Sequence, residues 1–172
     1  SKKRLYVCPW NKGDVFAMRL NGELAKEKNL IDTYLLFQVA DKYLHPIGLD
    51  KKIGHLCPIV RTKLTFSKKI PQLEDFNNNE IIKNDFPCKT TNWKNIYAIL
   101  IYTTSTRTIP KNLMFLGNKS VVTPNDDYGI FYDQINIINN IYFTLWKRFE
   151  DDMIENYYGH NLKQFSIYHE EN

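Results

Sequence analysis

The residues of this chain that could do chemistry are its histidines, its cysteines and its adjacent carboxylates. His55 and Cys57 are two apart in a segment with strand character, so both would project from the same face. With His45 upstream, two or three such ligands could hold zinc. The sequence has no Cys-x-x-Cys or His-x-x-x-His pair, however. We therefore expect an edge histidine beside a buried thiol, with no metal site and no cofactor.

Catalytic groups are not indicated either. Cys57 and His55 form a local thiol–base pair, but side chains two apart on a strand run parallel and are poorly placed for proton transfer. Asp126-Asp127 stands in a turn composition, and Glu150-Asp151-Asp152 falls on the polar side of a predicted helix. The sequence also lacks a glycine-rich phosphate loop. These features predict a protein that is not an enzyme.

Positive charge is concentrated in the first part of the chain. Residues 1–70 carry 14 Lys/Arg against 6 Asp/Glu, and residues 71–172 carry 9 against 13, for a formal net charge of +4. Such an excess attracts nucleic acid or an acidic partner, or the two parts pair with each other. Basic grooves with stacking aromatics hold single strands, and the residues concerned are Lys2, Lys3, Arg4, Trp10, Arg19, Lys51, Lys52, Arg61, Lys63, Lys68, Lys69 and Trp93.

Length and composition predict one domain over residues 1–172. Hydrophobic residues make up 43% of the chain and charged residues 24%, which is a globular balance. No stretch approaches the roughly 18 to 20 apolar residues of a membrane helix. Cys8, Cys57 and Cys88 show no disulfide spacing, so we expect a soluble, cytoplasmic protein. Because the chain opens at Ser1, we expect either cleavage from a longer product or a residue left by cloning.

Five short strands follow from the apolar patterns. Phe16, Met18 and Leu20 alternate along the first strand with the core on one side. The next segments are 34–40, 56–66, 96–102 and 113–116, and residues 165–168 could add an edge strand. A turn-rich connection containing Pro46, Gly48 and Gly54 is expected between the second and third strands. Residues 67–92 are expected to form a surface excursion, with a single helical turn at 73–76.

One amphipathic helix is predicted over about 138–158. Ile141, Leu145, Phe149 and Met153 recur every four residues, and Gly159 is suited to the helix end. The helix should pack on the sheet. The predicted fold class is therefore α+β, a small, strongly bent antiparallel β-sheet or SH3-like barrel with one C-terminal amphipathic helix.

The segment from Trp10 to Leu20, WNKGDVFAMRL, resembles the opening of the immunity-protein family numbered twenty-six in bacterial polymorphic-toxin catalogues. In that family a Gly-Asp-Val-Phe-Ala stretch leads into an aliphatic strand, and the segments 34–39 and 57–61 stand where its next two strands are expected. The resemblance covers about residues 1–70. It implies a cytoplasmic, non-enzymatic protein that binds and neutralises a toxin, or a related domain of uncharacterised bacterial proteins.

Besides the immunity-type hypothesis, two other functions remain open. Gly13-Asp14-Val15 followed by a Pro-Ile-Val strand is also similar to the start of the small-barrel toxin ribonucleases, which would imply an RNA-binding or RNA-cleaving barrel. The third possibility is a structural domain of a larger protein. For the leading hypothesis, the residues expected to bind the partner lie on or beside the first three strands, and they are Trp10, Asp14, Arg19, His55 and Arg61.

Overall fold

The computed structural model describes residues 5–76, 98–121, 141–155 and 167–168. Its helices and strands are β1 Asp14–Arg19, α1 Glu23–Glu27, β2 Tyr34–Ile47, β3 Asp50–Ser67, β4 Ala98–Tyr102, β5 Leu113–Asn118, β6 Ile141–Leu145, α2 Trp146–Met153 and β7 Ile167–Tyr168. Single 3₁₀ turns lie at Leu73–Asp75 and Thr106–Thr108. The α+β class with a C-terminal helix is confirmed.

The strands form one mostly antiparallel sheet in the order β5-β1-β2-β3-β4-β6, with β7 beside β3. The β4–β6 and β3–β7 pairs are parallel, and the other pairs are antiparallel. Over the described ranges β5 and β6 end the sheet without pairing to each other, so the sheet is unclosed and no barrel is shown. The sheet is also not strongly bent, and this part of the prediction is wrong.

Each face of the sheet carries buried apolar clusters. On the first face α2 packs Trp146, Phe149 and Met153 against a core that includes Phe37 and Val60. Cross-strand alternation puts two smaller clusters on the opposite face. One cluster consists of Val15, Ala17, Tyr34, Leu36 and Phe76, and the other of Tyr43, Cys57, Ile59 and Leu100. The first strand therefore buries both of its faces, where the sequence predicted one.

The β2–β3 hairpin differs most from the prediction. The expected turn-rich connection is wrong, because both strands continue to a two-residue turn at Gly48 and Leu49, flanked by the pair Ile47 and Asp50. Gly48 has a φ of +70°, the conformation that glycine adopts cheaply at the first position of such a turn. Pro46 and Gly54 face each other within the ladder instead of ending it.

The predicted helix over 138–158 is also wrong at its start. Ile141–Leu145 forms β6, which pairs in parallel with β4, and the helix begins at Trp146. The four-residue spacing of Ile141, Leu145 and Phe149 therefore crosses a strand–helix boundary. A run of β-branched and aromatic residues gains more from joining the sheet. Residues 138–140, 156–158 and Gly159 lie outside the described residues.

The other predicted elements are largely confirmed. The strands at 15–20 and 113–116 are β1 and β5, the strand at 96–102 is β4 from residue 98, and the tail strand is β7. Most of the predicted surface excursion, residues 77–92, lies outside the described residues, whereas Phe76 before it is 1% exposed. None of the helices in the described ranges is long and apolar enough to cross a membrane.

Candidate protein-binding surface

Trp10 belongs to the edge of the core. Its ring centroid lies 4.5 Å from that of Phe16 and 5.7 Å from that of Trp146, edge-on in the second case. Such aromatic contacts add to the free energy gained from burial. Trp10 therefore links β1 to α2, and only part of its side chain reaches the surface.

The carboxylate of Asp14 caps the turn that precedes β1. One carboxylate oxygen accepts a 2.8 Å hydrogen bond from the backbone N–H of Asn11, and the other accepts a 3.0 Å bond from Nδ2 of Asn118. The side chain is buried at the turn that precedes β1. These bonds hold the turn against the end of β5.

Arg19 is the most exposed of the five predicted residues. Its guanidinium lies 2.6 Å from a carboxylate oxygen of Asp32, and the two side chains are 52% and 59% exposed. The hydrogen bond to Asp32, followed by the attraction of its charge, raises the pKa of Arg19. Both side chains are accessible to a partner. Because an exposed ion pair contributes little to stability, the pair can also rearrange at small cost.

His55 lies in a cluster of aromatic rings near the turn end of the β2–β3 hairpin. Its Nδ1 accepts a 2.8 Å hydrogen bond from the backbone N–H of Tyr6. His45 stands directly opposite, and the centroids of His45 and His55 lie 4.7 and 5.7 Å from that of Tyr102. Burial, and then the neighbouring His55, lower the pKa of His45. Within the described part of the chain, no group of three or more His, Cys, Asp or Glu could hold a metal ion.

Cys57 is a buried thiol. Burial raises its pKa to about 11 and also raises the pKa of Cys8. The backbone N–H of Thr103 donates to the Cys57 sulfur at 3.4 Å. A thiol in this state is overwhelmingly protonated near neutral pH, and the thiolate is the nucleophile. The geometry at Cys57 is that of a core residue.

Arg61 and Lys63 lie on β3 and point away from α2. Arg61 is 0% exposed and Lys63 is 4% exposed, and the Lys63 ammonium donates a 2.7 Å hydrogen bond to the carbonyl of Asp75. In this conformation neither cation offers its charge to a partner. Of the five predicted residues, the structure thus leaves Arg19 and part of Trp10 accessible, and it buries Asp14, His55 and Arg61.

An apolar row that the sequence did not predict crosses the hairpin. Leu44 of β2 stands opposite Leu56 of β3, and Leu56 in turn pairs with Val7 through an isolated parallel bridge. Opposite residues on neighbouring strands share a face. Val7 is 64% exposed, whereas its neighbours Tyr6 and Cys8 are buried, so the row faces outward.

The row continues into a cleft and towards the hairpin turn. The cleft has a volume of about 550 Å³ and lies between residues 5–7 and the loop 104–107. At the turn Leu49 is fully exposed. Arg107 and Lys52 are also exposed nearby, and the carboxylate of Asp50 is exposed beside Leu49. We call Leu5, Val7, Leu44, Leu49 and Leu56 together the hairpin surface.

The sequence contained one signal for this surface. Leu5 and Val7 alternate with Tyr6 and Cys8, which is the period of a half-buried strand. The alternation is short, and Pro9 follows it. The pairing partner, Leu56, is far away in sequence, so only the fold brings the row together.

Comparison with known proteins adds no relative to these observations. No protein-family model, curated protein or solved structure matches this chain.

Proposed function

We propose that this chain is a non-enzymatic protein-binding module of the immunity type, which acts in the cytoplasm and neutralises a toxin protein. The observation that carries the proposal is the aliphatic row of Val7, Leu56 and Leu44, in which Val7 is exposed and the two leucines are half-buried. Aliphatic side chains lined up on a sheet face, beyond the part that α2 covers, are suited to burial by another protein.

Charge and shape favour a particular kind of partner. Arg107 and Lys52 lie beside the aliphatic surface, so a partner with carboxylates around an apolar centre is complementary. The cleft between residues 5–7 and 104–107 can accept a projecting side chain. A fully exposed Leu49 at the turn extends the contact beyond the body of the sheet.

The RNA alternative loses several of its supporting residues. Arg61 and Lys63 are buried, and the ring of Trp10 packs against Phe16 and Trp146. A groove for single-stranded nucleic acid needs exposed cations and exposed stacking faces. Trp93 lies outside the described residues. Retention on single-stranded RNA that weakens steeply with salt would favour the alternative.

Affinity capture from the cells that make this protein tests the proposal. We expect the unaltered protein to recover a specific partner, and Val7→Asp to recover roughly tenfold less of it, because a carboxylate cannot be buried there without loss. Ile70→Asp is the matched control, since Ile70 is also exposed, at 66%, but lies outside the hairpin surface. Equal recovery by both variants would overturn the assignment of this surface.

A further inference from the structure

The edge strand β5 presents a second surface, distinct from the hairpin surface. Its six residues, Leu113–Asn118, carry no charged side chain. On one side β5 pairs with β1, and no strand in the described ranges pairs with its other side. Uncharged, apolar edge strands are unusual, because natural proteins protect such edges with charge, bulges or covering segments.

The hydrogen bonds to β1 show which backbone groups of β5 face outward. The backbone N–H of Arg19 donates to the carbonyl of Asn112, so the backbone N–H and C=O groups of Asn112, and of Met114 two residues later, are directed towards β1. In an antiparallel pair the backbone groups of the alternate residues are directed to the other side of the strand. Leu113 and Phe115 therefore present their N–H and C=O groups at the free edge. The side chain of Phe115 is 61% exposed.

Lysines stand just beyond both ends of the strand. Lys111 is exposed, and the Lys119 ammonium is held at the other end by a 2.9 Å hydrogen bond to the carbonyl of Phe76. In an antiparallel pairing of two copies centred on Phe115, Lys111 of each copy would face Lys119 of the other. Like charges at opposed positions are unfavourable, which disfavours self-pairing.

We propose that β5 takes up an extended segment of another protein as an additional strand, and that this segment is apolar in its centre and acidic at both ends. Backbone hydrogen bonds to Leu113 and Phe115 supply affinity without regard to sequence. Contact with the exposed Phe115 ring and attraction by Lys111 and Lys119 select the segment. This surface does not depend on the hairpin surface.

Binding of a designed peptide to the full chain tests the proposal. The probe is a labelled heptapeptide of alternating valine and threonine with an aspartate at each end. The control peptide has the same sequence with a lysine in place of each aspartate. We expect the acidic peptide to bind about tenfold tighter at low salt, with the difference shrinking as salt is added. Methylating alternate backbone nitrogens of the acidic peptide should abolish binding, because the ladder cannot form.

Two protein variants complete the design. Phe115→Pro removes an outward N–H and should abolish binding, whereas Phe115→Val keeps the N–H and should retain most of it. Val7→Asp should leave peptide binding unchanged, so a failure here is distinguishable from a failure of the hairpin surface. No binding of the acidic peptide, equal binding of both peptides, or a dimer of the unaltered chain that Phe115→Pro dissociates would each overturn the proposal.

Discussion

The carboxylate of Glu150 in α2 accepts a 2.7 Å hydrogen bond from the backbone N–H of Gly22, 128 residues earlier at the start of α1. Its other oxygen accepts a 3.0 Å bond from the N–H of Asn21. Gly22 is the N-cap of α1, where backbone N–H groups lack partners within the helix, and a carboxylate at this position also interacts favourably with the helix dipole. Glu150 thus connects α2 to the start of α1, and both helices pack on the main core.

Glu150→Ala should therefore lower the free energy of unfolding by about 1–2 kcal/mol, because two N–H groups lose a charged acceptor. Glu150→Gln should lose about half as much. Chemical denaturation monitored by tryptophan fluorescence gives both values. Glu155→Ala is the control, since Glu155 is exposed near the end of the same helix. A loss as large in the control would contradict the role of Glu150.

Asp14 offers a similar test of a residue that the sequence suggested for partner binding. Asp14→Ala removes the acceptor for Asn11 and Asn118, so we expect a loss of about 1–2 kcal/mol in unfolding free energy. Asp14→Asn retains one acceptor oxygen and should lose less. If both variants unfold like the unaltered chain, the cap contributes nothing measurable.

The buried thiols make reactivity and stability depend on pH. Because burial raises the pKa of Cys57 from 9.0 to about 11, its thiolate fraction at pH 8 is about a hundredfold smaller in the folded chain. In a Cys8→Ser, Cys88→Ser background, the reaction of Cys57 with a disulfide reagent should be slower than in denaturant by at least this factor, because Cys57 is also 0% exposed. A fast phase in the folded state would show that Cys57 is accessible.

The same shift predicts the direction of the stability change. A thiol whose pKa is raised by folding stabilises the folded state fully below pH 9.0, the unfolded value, and loses this contribution as pH rises towards about 11. The denaturation midpoint should fall over this range. Cys57→Ala should make the fall shallower, and an unchanged slope would contradict the assignment.

The elements that could be predicted from the sequence were those in which neighbouring residues show a clear apolar pattern. Alternation revealed β1, and a continuous apolar run revealed β2. The end of the hairpin was missed because Pro46, Gly48 and Gly54 are turn formers in isolation, whereas here each strand supports the other. The helix start was missed because Ile141 and Leu145 also fit a helical spacing, and only pairing with β4 decides between strand and helix.

The candidate surfaces depended more on long-range contacts. Arg61 has the residue type of a partner-binding cation, but it lies in the middle of β3, where the opposite face of the sheet is covered as well. Conversely, Val7 and Leu56 are ordinary aliphatic residues, and the short alternation around Val7 does not indicate that the two lie side by side. The bridge between the N-terminal segment and β3 brings them together, and the proposed role of both residues depends on this contact.

The affinity of the captured partner is the most direct measure of the proposed function. Calorimetric titration should give a dissociation constant for Val7→Asp at least about tenfold weaker than for the unaltered chain, with Ile70→Asp unchanged and all three proteins equally stable. Dissociation constants that agree for Val7→Asp and the unaltered chain would contradict binding through the hairpin surface.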